Sequence, residues 1–182
     1  FSDFRHGIFN PSSIQKLVKA IPKKSFKAGD SQVASRWGNI TEFKNFDLIT
    51  PNEREARFSL ADQDSTVGKL SGMLYDKTKY KNLILKLGPR GIFCIDSRSK
   101  KRIPFSIGVF TENIIDAVGT GDALLAYSSL SLKVSNSLVK ASILGSFAAS
   151  CACEIEGNKP IDIETITNKI KEVQKKINYI HK

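Results

Sequence analysis

Histidine, cysteine, methionine and tryptophan are scarce in this 182-residue sequence, at two, three, one and one. The two histidines, His6 and His181, stand at opposite ends, so these residue types cannot assemble a metal-ligand cluster. Cys151 and Cys153 lie two apart in an apparent helix, where their side chains point in different directions, and reduced, mostly buried thiols are expected. No run of about eighteen apolar residues is present to cross a bilayer. The opening FSDFRHGIFNPSS lacks the basic start and apolar centre of a signal peptide. A soluble, cytoplasmic protein is the expectation. Gly-Lys-Ser/Thr is also missing, which excludes a P-loop.

What is present is ordinary in bulk and unusual in charge. Hydrophobic content of 41% and charged content of 25% suit one globular domain with a sizeable core. The net charge is +10. Its clusters are Arg98, Lys100, Lys101 and Arg102 in an apparent turn, then Lys23, Lys24 and Lys27, then Lys169, Lys171, Lys175, Lys176 and Lys182. They are scattered over different elements and not interleaved with aromatics, so they read as solvated faces and not as a nucleic-acid stripe. A nucleic-acid-binding role rests on charge alone. A positive field still favours phosphorylated small molecules.

The apolar spacing predicts a helix over 12–21, a strand SFKAGD ending at Asp30, and a strand FDLIT over 46–50 stopped by Pro51. A helix start follows from Asn52, then a helix over 65–80, then NLILKL (82–87), apolar enough for a strand covered on both faces. IFCID and RIPFSI around the basic turn predict a hairpin. Asn136 is a candidate cap for a helix in which Val139, Ile143 and Phe147 fall four apart. Asp162 can cap another, whose Ile163, Ile166, Ile170, Val173 and Ile177 form an apolar stripe for core packing. Strands separated by helices, with helices at the end, argue an α/β fold with a mostly parallel sheet covered on both faces. Ligands in such folds bind beyond the carboxyl ends of strands. Four strand-to-helix junctions are expected there: Asp30-Ser31-Gln32, Pro51 to Glu55, Gly88 to Gly91, and Gly119 to Asp122.

The last of these, in NIIDAVGTGDALLAYSSL, is the most suggestive. Leu124 stands where a dinucleotide fingerprint needs its third glycine. One reading is a glycine-rich helix start whose Asp122 complements the helix dipole. The other is chemical: glycines let backbone amides approach an anion, the first turn of a helix holds phosphate-like charge, and Asp122 beside it can accept a proton from an attacking hydroxyl.

Three ordered stretches resemble one family. Asp116-Ala117-Val118-Gly119-Thr120-Gly121-Asp122 resembles the D-T-x-G-A-G-D signature of the ribokinase-like (pfkB) carbohydrate kinases, with Ala117 in place of Thr. Leu48 to Glu55 resembles that family's strand and N-x-x-E motif, and Lys86-Leu87-Gly88-Pro89-Arg90-Gly91 its T-x-G-x-x-G loop. Phe1 to Gly7 resembles the mid-chain S-D-Y-x-x-G segment. With Phe1 in place of Met, this suggests a fragment or processed chain, residues 1–182 being the carboxyl-terminal part of a single kinase domain. The pairing of Asp30-Ser31-Gln32 with LITPNEREAR is most similar to the kinase module of bifunctional ADP-heptose synthases, which phosphorylate heptose 7-phosphate at O1.

The resemblance implies a three-layer α/β/α sandwich, incomplete at the amino-terminal side, and ATP-dependent phosphorylation of a sugar or sugar-phosphate hydroxyl. It implies Asp122 as general base and the amides of Gly119, Thr120 and Gly121 as the anion hole. Asn52 and Glu55 would help hold Mg²⁺ through water, or form only a capped helix start. Gly88 and Gly91 would shape the nucleotide-side loop. Asp116 would serve the structure beneath the anion hole, or a monovalent-cation site found in some relatives. The sugar-contacting half and the lid are not in this stretch, so 1–182 alone is expected to be inactive, and a homodimer of the full-length protein is compatible with the family. A non-catalytic nucleotide-binding or regulatory module is the alternative.

Overall fold

The computed structural model describes residues 1–32, 38–99, 101–111 and 113–180. Lys100, His181 and Lys182, named above, lie outside the described residues. The chain forms two compact units, Phe1–Ser106 and Ile107–Lys182.

The first unit is built on a sheet whose strands lie in chain order: β1 (Ser2–Asp3), β2 (Ala28–Ser31), β3 (Leu48–Ile49), β4 (Asn82–Lys86), β5 (Ile92–Asp96) and β6 (Phe105–Ile107). Neighbours from β1 to β4 are parallel, with Ser2 opposite Asp30 and Ile49 opposite Leu83, while β5 returns antiparallel to β4. Helix α1 (Pro11–Ala20) connects β1 to β2, and α2 (Glu53–Leu60) and α3 (Val67–Thr78) connect β3 to β4. The mostly parallel α/β arrangement is as expected from the sequence.

Local chemistry starts these helices. Asn10 accepts from the Ser13 N–H at 3.0 Å while Ser13 Oγ accepts from the Asn10 N–H at 2.9 Å, and Pro11 fills the first position of α1. Leu83 and Leu85 leave one face of β4 together and join Ile14 of α1, Ile49 of β3, Leu70 and Leu74 of α3, and Phe43 and Phe46 in one buried cluster. Burying each such side chain contributes about 1.5–3 kcal/mol. The Phe43 and Phe46 rings stack with centroids 4.9 Å apart. They lie so close to β2 that a Cβ on Gly29 would stand 2.7 Å from Phe43 Cδ2. The glycine of KAGD is a packing requirement.

Two expectations about this unit change. The strand predicted over 46–50 is only Leu48–Ile49. Phe46 is drawn into the core, the Asp47 carboxylate accepts from the Lys27 N–H and Lys81 Nζ, both at 2.7 Å, and Pro51 has no N–H to continue a ladder. Gly88–Gly91 is also not a strand-to-helix junction. It is a tight turn between β4 and β5, closed by Leu87 N–H to Gly91 O at 2.8 Å and Gly91 N–H to Gly88 O at 2.9 Å. The hydrophobic run of IFCID fits a returning strand as well as a new one, so periodicity could not separate them.

The second unit contains α4 (Thr120–Ser135), α5 (Leu138–Cys153) and α6 (Ile163–Ile180). Asn136 does not cap α5. It ends α4 in the left-handed conformation, φ 51°, donating to Leu132 O, and Ser137 caps α5 by accepting from the Lys140 N–H. Both roles suit Asn from sequence, and only the turn geometry chooses. The spacing of Val139, Ile143 and Phe147 also misleads, since Val139 is 50% exposed and only Phe147 is buried. Helix α5 buries Ala141, Ser142, Gly145 and Ala148 as well, small residues with little weight in a hydrophobic pattern. Asp162 caps α6 as expected, accepting from the Thr165 N–H at 2.7 Å. Of its stripe, Ile166 is buried and Ile170 and Val173 pack on Phe147, Ala148 and Cys151, whereas Ile163 is exposed. Phe110 stacks on Phe147 at 4.1 Å. The three cysteines form no disulfide.

Candidate active site

In the first unit, Asn52 and Glu55 are joined in a reciprocal cap. Asn52 Oδ1 accepts from the Glu55 N–H at 2.7 Å, and Glu55 Oε2 accepts from the Asn52 N–H at 2.6 Å. Asn52 and Glu55 thus form the capped helix start, with their side chains side by side. Glu55 is 5% exposed. Burial pushes its carboxyl up to about 7, with the negative charge of Asp30 adding to the rise and Lys86 and the Asn52 N–H opposing it. Lys86, at the end of β4, reaches Asp30 at the end of β2 with Nζ 2.8 Å from Oδ2. Its own N–H donates to Pro51 O at 2.9 Å, which draws the start of α2 beside β4.

Gly88, with φ 60°, and Asn52 line one cleft of about 620 Å³ together with Glu53, Arg54, Arg57, Phe58, Gln63, Lys86 and Leu87. Gly91, φ 80°, is buried in the turn behind it. Glu53 binds Arg57 through Nε at 3.0 Å and Nη2 at 2.7 Å, and also Arg90. Arg57 further donates to the carbonyls of Gln63 and Ser65. Hydrogen bonding from Arg57, with the charges of Arg90 and Arg57, holds the Glu53 carboxyl below its ordinary range against a smaller opposing cost of burial.

In the second unit, α4 begins as the glycine-acid stretch suggested. Gly119 is the N-cap in the left-handed conformation, φ 79°, with no side-chain cap, and Asp122 stands in the first turn, half-buried. Asn158 lies against Gly119, where any Cβ would collide with its Oδ1. Thr120 Oγ1 is 3.2 Å from Cys153 Sγ. Asp116 stands beneath this start: Oδ1 accepts from the Val118 N–H at 2.9 Å and Oδ2 from the Gly157 N–H at 3.0 Å, and these amides hold its carboxyl below the usual range. These contacts tie Asp116 to the structure beneath the helix start.

The Lys86–Asp30 pair, the Glu53–Arg57–Arg90 network and the Asn158 contact were not anticipated. A lysine at the first position of a T-x-G-x-x-G-like loop was the one sequence signal that could have drawn attention to Lys86. Among the described residues no group of three or more His, Cys, Asp or Glu could hold a metal ion, and no helix is long and apolar enough to cross a membrane.

A mostly parallel sheet with capped crossover helices, together with a long helix opened by glycine and carrying an acid in its first turn, defines an α/β protein of the ribokinase-like class. Phosphofructokinase-2 from Escherichia coli, in a crystal structure with potassium, superposes with a TM-score of 0.74 at 19% identity, covering 91% of this chain and 53% of that one. Ribokinase from Thermotoga maritima superposes with a TM-score of 0.71 at 20% identity, covering 87% and 52%. The chain belongs to the pfkB family of carbohydrate kinases, whose sequence profile matches residues 10–165. Bifunctional protein HldE from Pelobacter propionicus is 21% identical over 173 residues, which are 93% of this chain and 34% of that protein. The chain thus spans about a third of that curated relative and about half of the solved structures.

Proposed function

We propose that this chain is the catalytic part of a kinase that transfers the γ-phosphoryl group of ATP to a hydroxyl of a sugar or sugar phosphate. The observation that carries the reading is the start of α4, where Gly119 leaves the helix without a side-chain cap and Asp122 stands in the first turn. The amides of Gly119, Thr120 and Gly121 face the charge that develops on the transferred group, the larger electrostatic part of such catalysis. Asp122 takes the proton as the hydroxyl oxygen bonds to phosphorus and the bond to the β-phosphate oxygen breaks. Asp116 positions this helix start.

The residues around Glu55 fit Mg²⁺ in the way that ion is commonly held, by one carboxylate, waters and substrate phosphates. The cap uses Asn52 Oδ1 and Glu55 Oε2, which leaves Glu55 Oε1 for a metal-bound water. When bound, the ion would neutralise phosphate charge. A monovalent cation near Asp116 is compatible with the family. The similarity to HldE supports heptose 7-phosphate, phosphorylated at O1, as the first substrate to try.

The test is ADP release from protein prepared at its full encoded length, given Mg²⁺, ATP and a panel of sugars and sugar phosphates. Release dependent on one sugar, and lost in Asp122→Asn, is expected, with residues 1–182 alone silent. A second reading is a non-catalytic nucleotide-binding module, in which Asn52 and Glu55 serve only as a capped helix start. Full-length protein that binds ATP and is silent with every sugar would establish it.

A further inference from the structure

Lys169 of α6 lies beyond residues 10–165, over which the family profile matches, yet its ammonium is turned inward, with only 11% of the side chain exposed. Nζ donates to Glu154 Oε1 at 2.6 Å, and the same oxygen accepts from Thr111 Oγ1 at 2.5 Å. Thr111 Oγ1 in turn accepts from the Asn113 N–H at 3.1 Å. One carboxylate oxygen thereby ties α6 to the stretch that leads into α4. Burial works against the charge on Lys169, but hydrogen bonding and charge from Glu154, with the charge of Glu172, hold the ammonium above its ordinary range. Glu154 ends α5, and its neighbours grip the same stretch. The Cys153 carbonyl accepts from the Ile115 N–H at 2.8 Å and the Asp116 N–H at 3.1 Å, while Cys153 Sγ is 3.2 Å from Thr120 Oγ1. The Gly157 N–H donates to Asp116, and Asn158 fills the space beside Gly119. Residues 153–158 thus hold Thr111, Ile115, Asp116, Gly119 and Thr120 at once.

We propose that Lys169 is a positioning residue for phosphoryl transfer: by fixing Glu154 it holds the turn over 153–158, and through that turn the amides and acid at the start of α4. The proposal rests on the kinase reading for its reaction and adds a residue that reading does not use. Without the ammonium, Glu154 keeps a partly buried charge with one hydroxyl partner, and turning it to water releases Thr111 and the end of α5. A shift of about 1 Å at reacting groups is enough to slow a reaction strongly.

The test uses protein at its full encoded length with Lys169→Met, which keeps the aliphatic stem and removes the charge, and Lys169→Arg, which keeps the charge. Well below the thermal midpoint of each variant, K169M should lower kcat about fivefold to tenfold with KM for ATP and sugar within about twofold of wild type, and K169R should recover most of the loss. Glu154→Gln should lower kcat in the same way and add nothing to K169M in the double variant, and it carries the test if K169M does not fold. Iodoacetamide labelling of Cys153, read by peptide mass spectrometry, follows the turn without turnover, because this half-buried thiol lies beside Thr120. Its rate should rise about threefold or more in K169M and stay at the wild-type value in K169R. Wild-type kcat in K169M, or independent losses in the double variant, overturns the inference and leaves the kinase reading standing. If no sugar promotes ADP release by the wild-type protein, the kinase reading falls and labelling decides alone: a faster rate in K169M keeps Lys169 as the residue that holds this turn, and an unchanged rate removes it.

Discussion

Helices α2 and α4 begin in opposite ways. At α2 the chain satisfies its own first turn, because Asn52 and Glu55 exchange hydrogen bonds and the carboxylate is buried doing so. At α4 a left-handed glycine takes the cap position without a side-chain cap, and the acid of the first turn is half-buried. A closed helix start is a structural device that can lend one oxygen to a ligand. An open one leaves dipole and amides for an external anion. The contrast predicts that changes at α4 act on turnover and changes at α2 act first on stability.

The strongest test of that contrast is Asp122→Asn. Turnover should fall by roughly a hundredfold to ten-thousandfold with ATP affinity kept, measured as ADP release and by calorimetry. An unchanged kcat would erase the distinction between the two helix starts.

At α2 the largest effect should be on the pH dependence of stability. Glu55 has its carboxyl raised from 4.5 to about 7, so the folded chain binds this proton more tightly than the unfolded chain. Its contribution is present below about pH 4.5 and is lost as pH rises to 7, a change on the order of 3 kcal/mol. Denaturant midpoints of metal-free protein across that window should decline with pH, and Glu55→Gln should flatten the decline. Equal slopes for the two proteins would contradict the burial of this carboxylate.

Gly119→Ala tests the open start by backbone alone. The left-handed conformation costs a residue with a Cβ roughly 1–2 kcal/mol, and the collision with Asn158 adds to it. Combining it with Asn158→Ala should recover the contact part and not the backbone part, as read from midpoints at constant m-value. The smallest effect is expected for Asn52→Ala, about 1 kcal/mol for a lost cap. A larger loss of turnover than of stability there would show α2 to be as chemical as α4.

Much of this was legible in the sequence because it is local. Caps at Asn52 and Asp162 act within three residues, and the glycine of the α4 start sits where periodicity ends. Asn136 failed because a residue that suits both a left-handed helix end and a cap is decided by where the next helix begins. The turn at Gly88–Gly91 failed because an apolar strand does not state which way its partner runs. At the site, the family's ordered motifs singled out Asn52, Glu55 and Gly119 to Asp122. They passed over Lys86, whose partner Asp30 lies far along the chain.

By itself the sequence determined the starts of α2, α4 and α6, the apolar strand β4 and the two stretches on which the proposed chemistry rests, since each depends on backbone geometry and residues within a turn of one another. Only the tertiary structure decided that Lys86 meets Asp30 across 56 residues, that Glu55 is sealed from water, and that Asp116 reaches the Gly157 amide. Burial and charge pairing are properties of neighbours in space, and the parallel order of β2, β3 and β4 brings Asp30, Glu55 and Lys86 together.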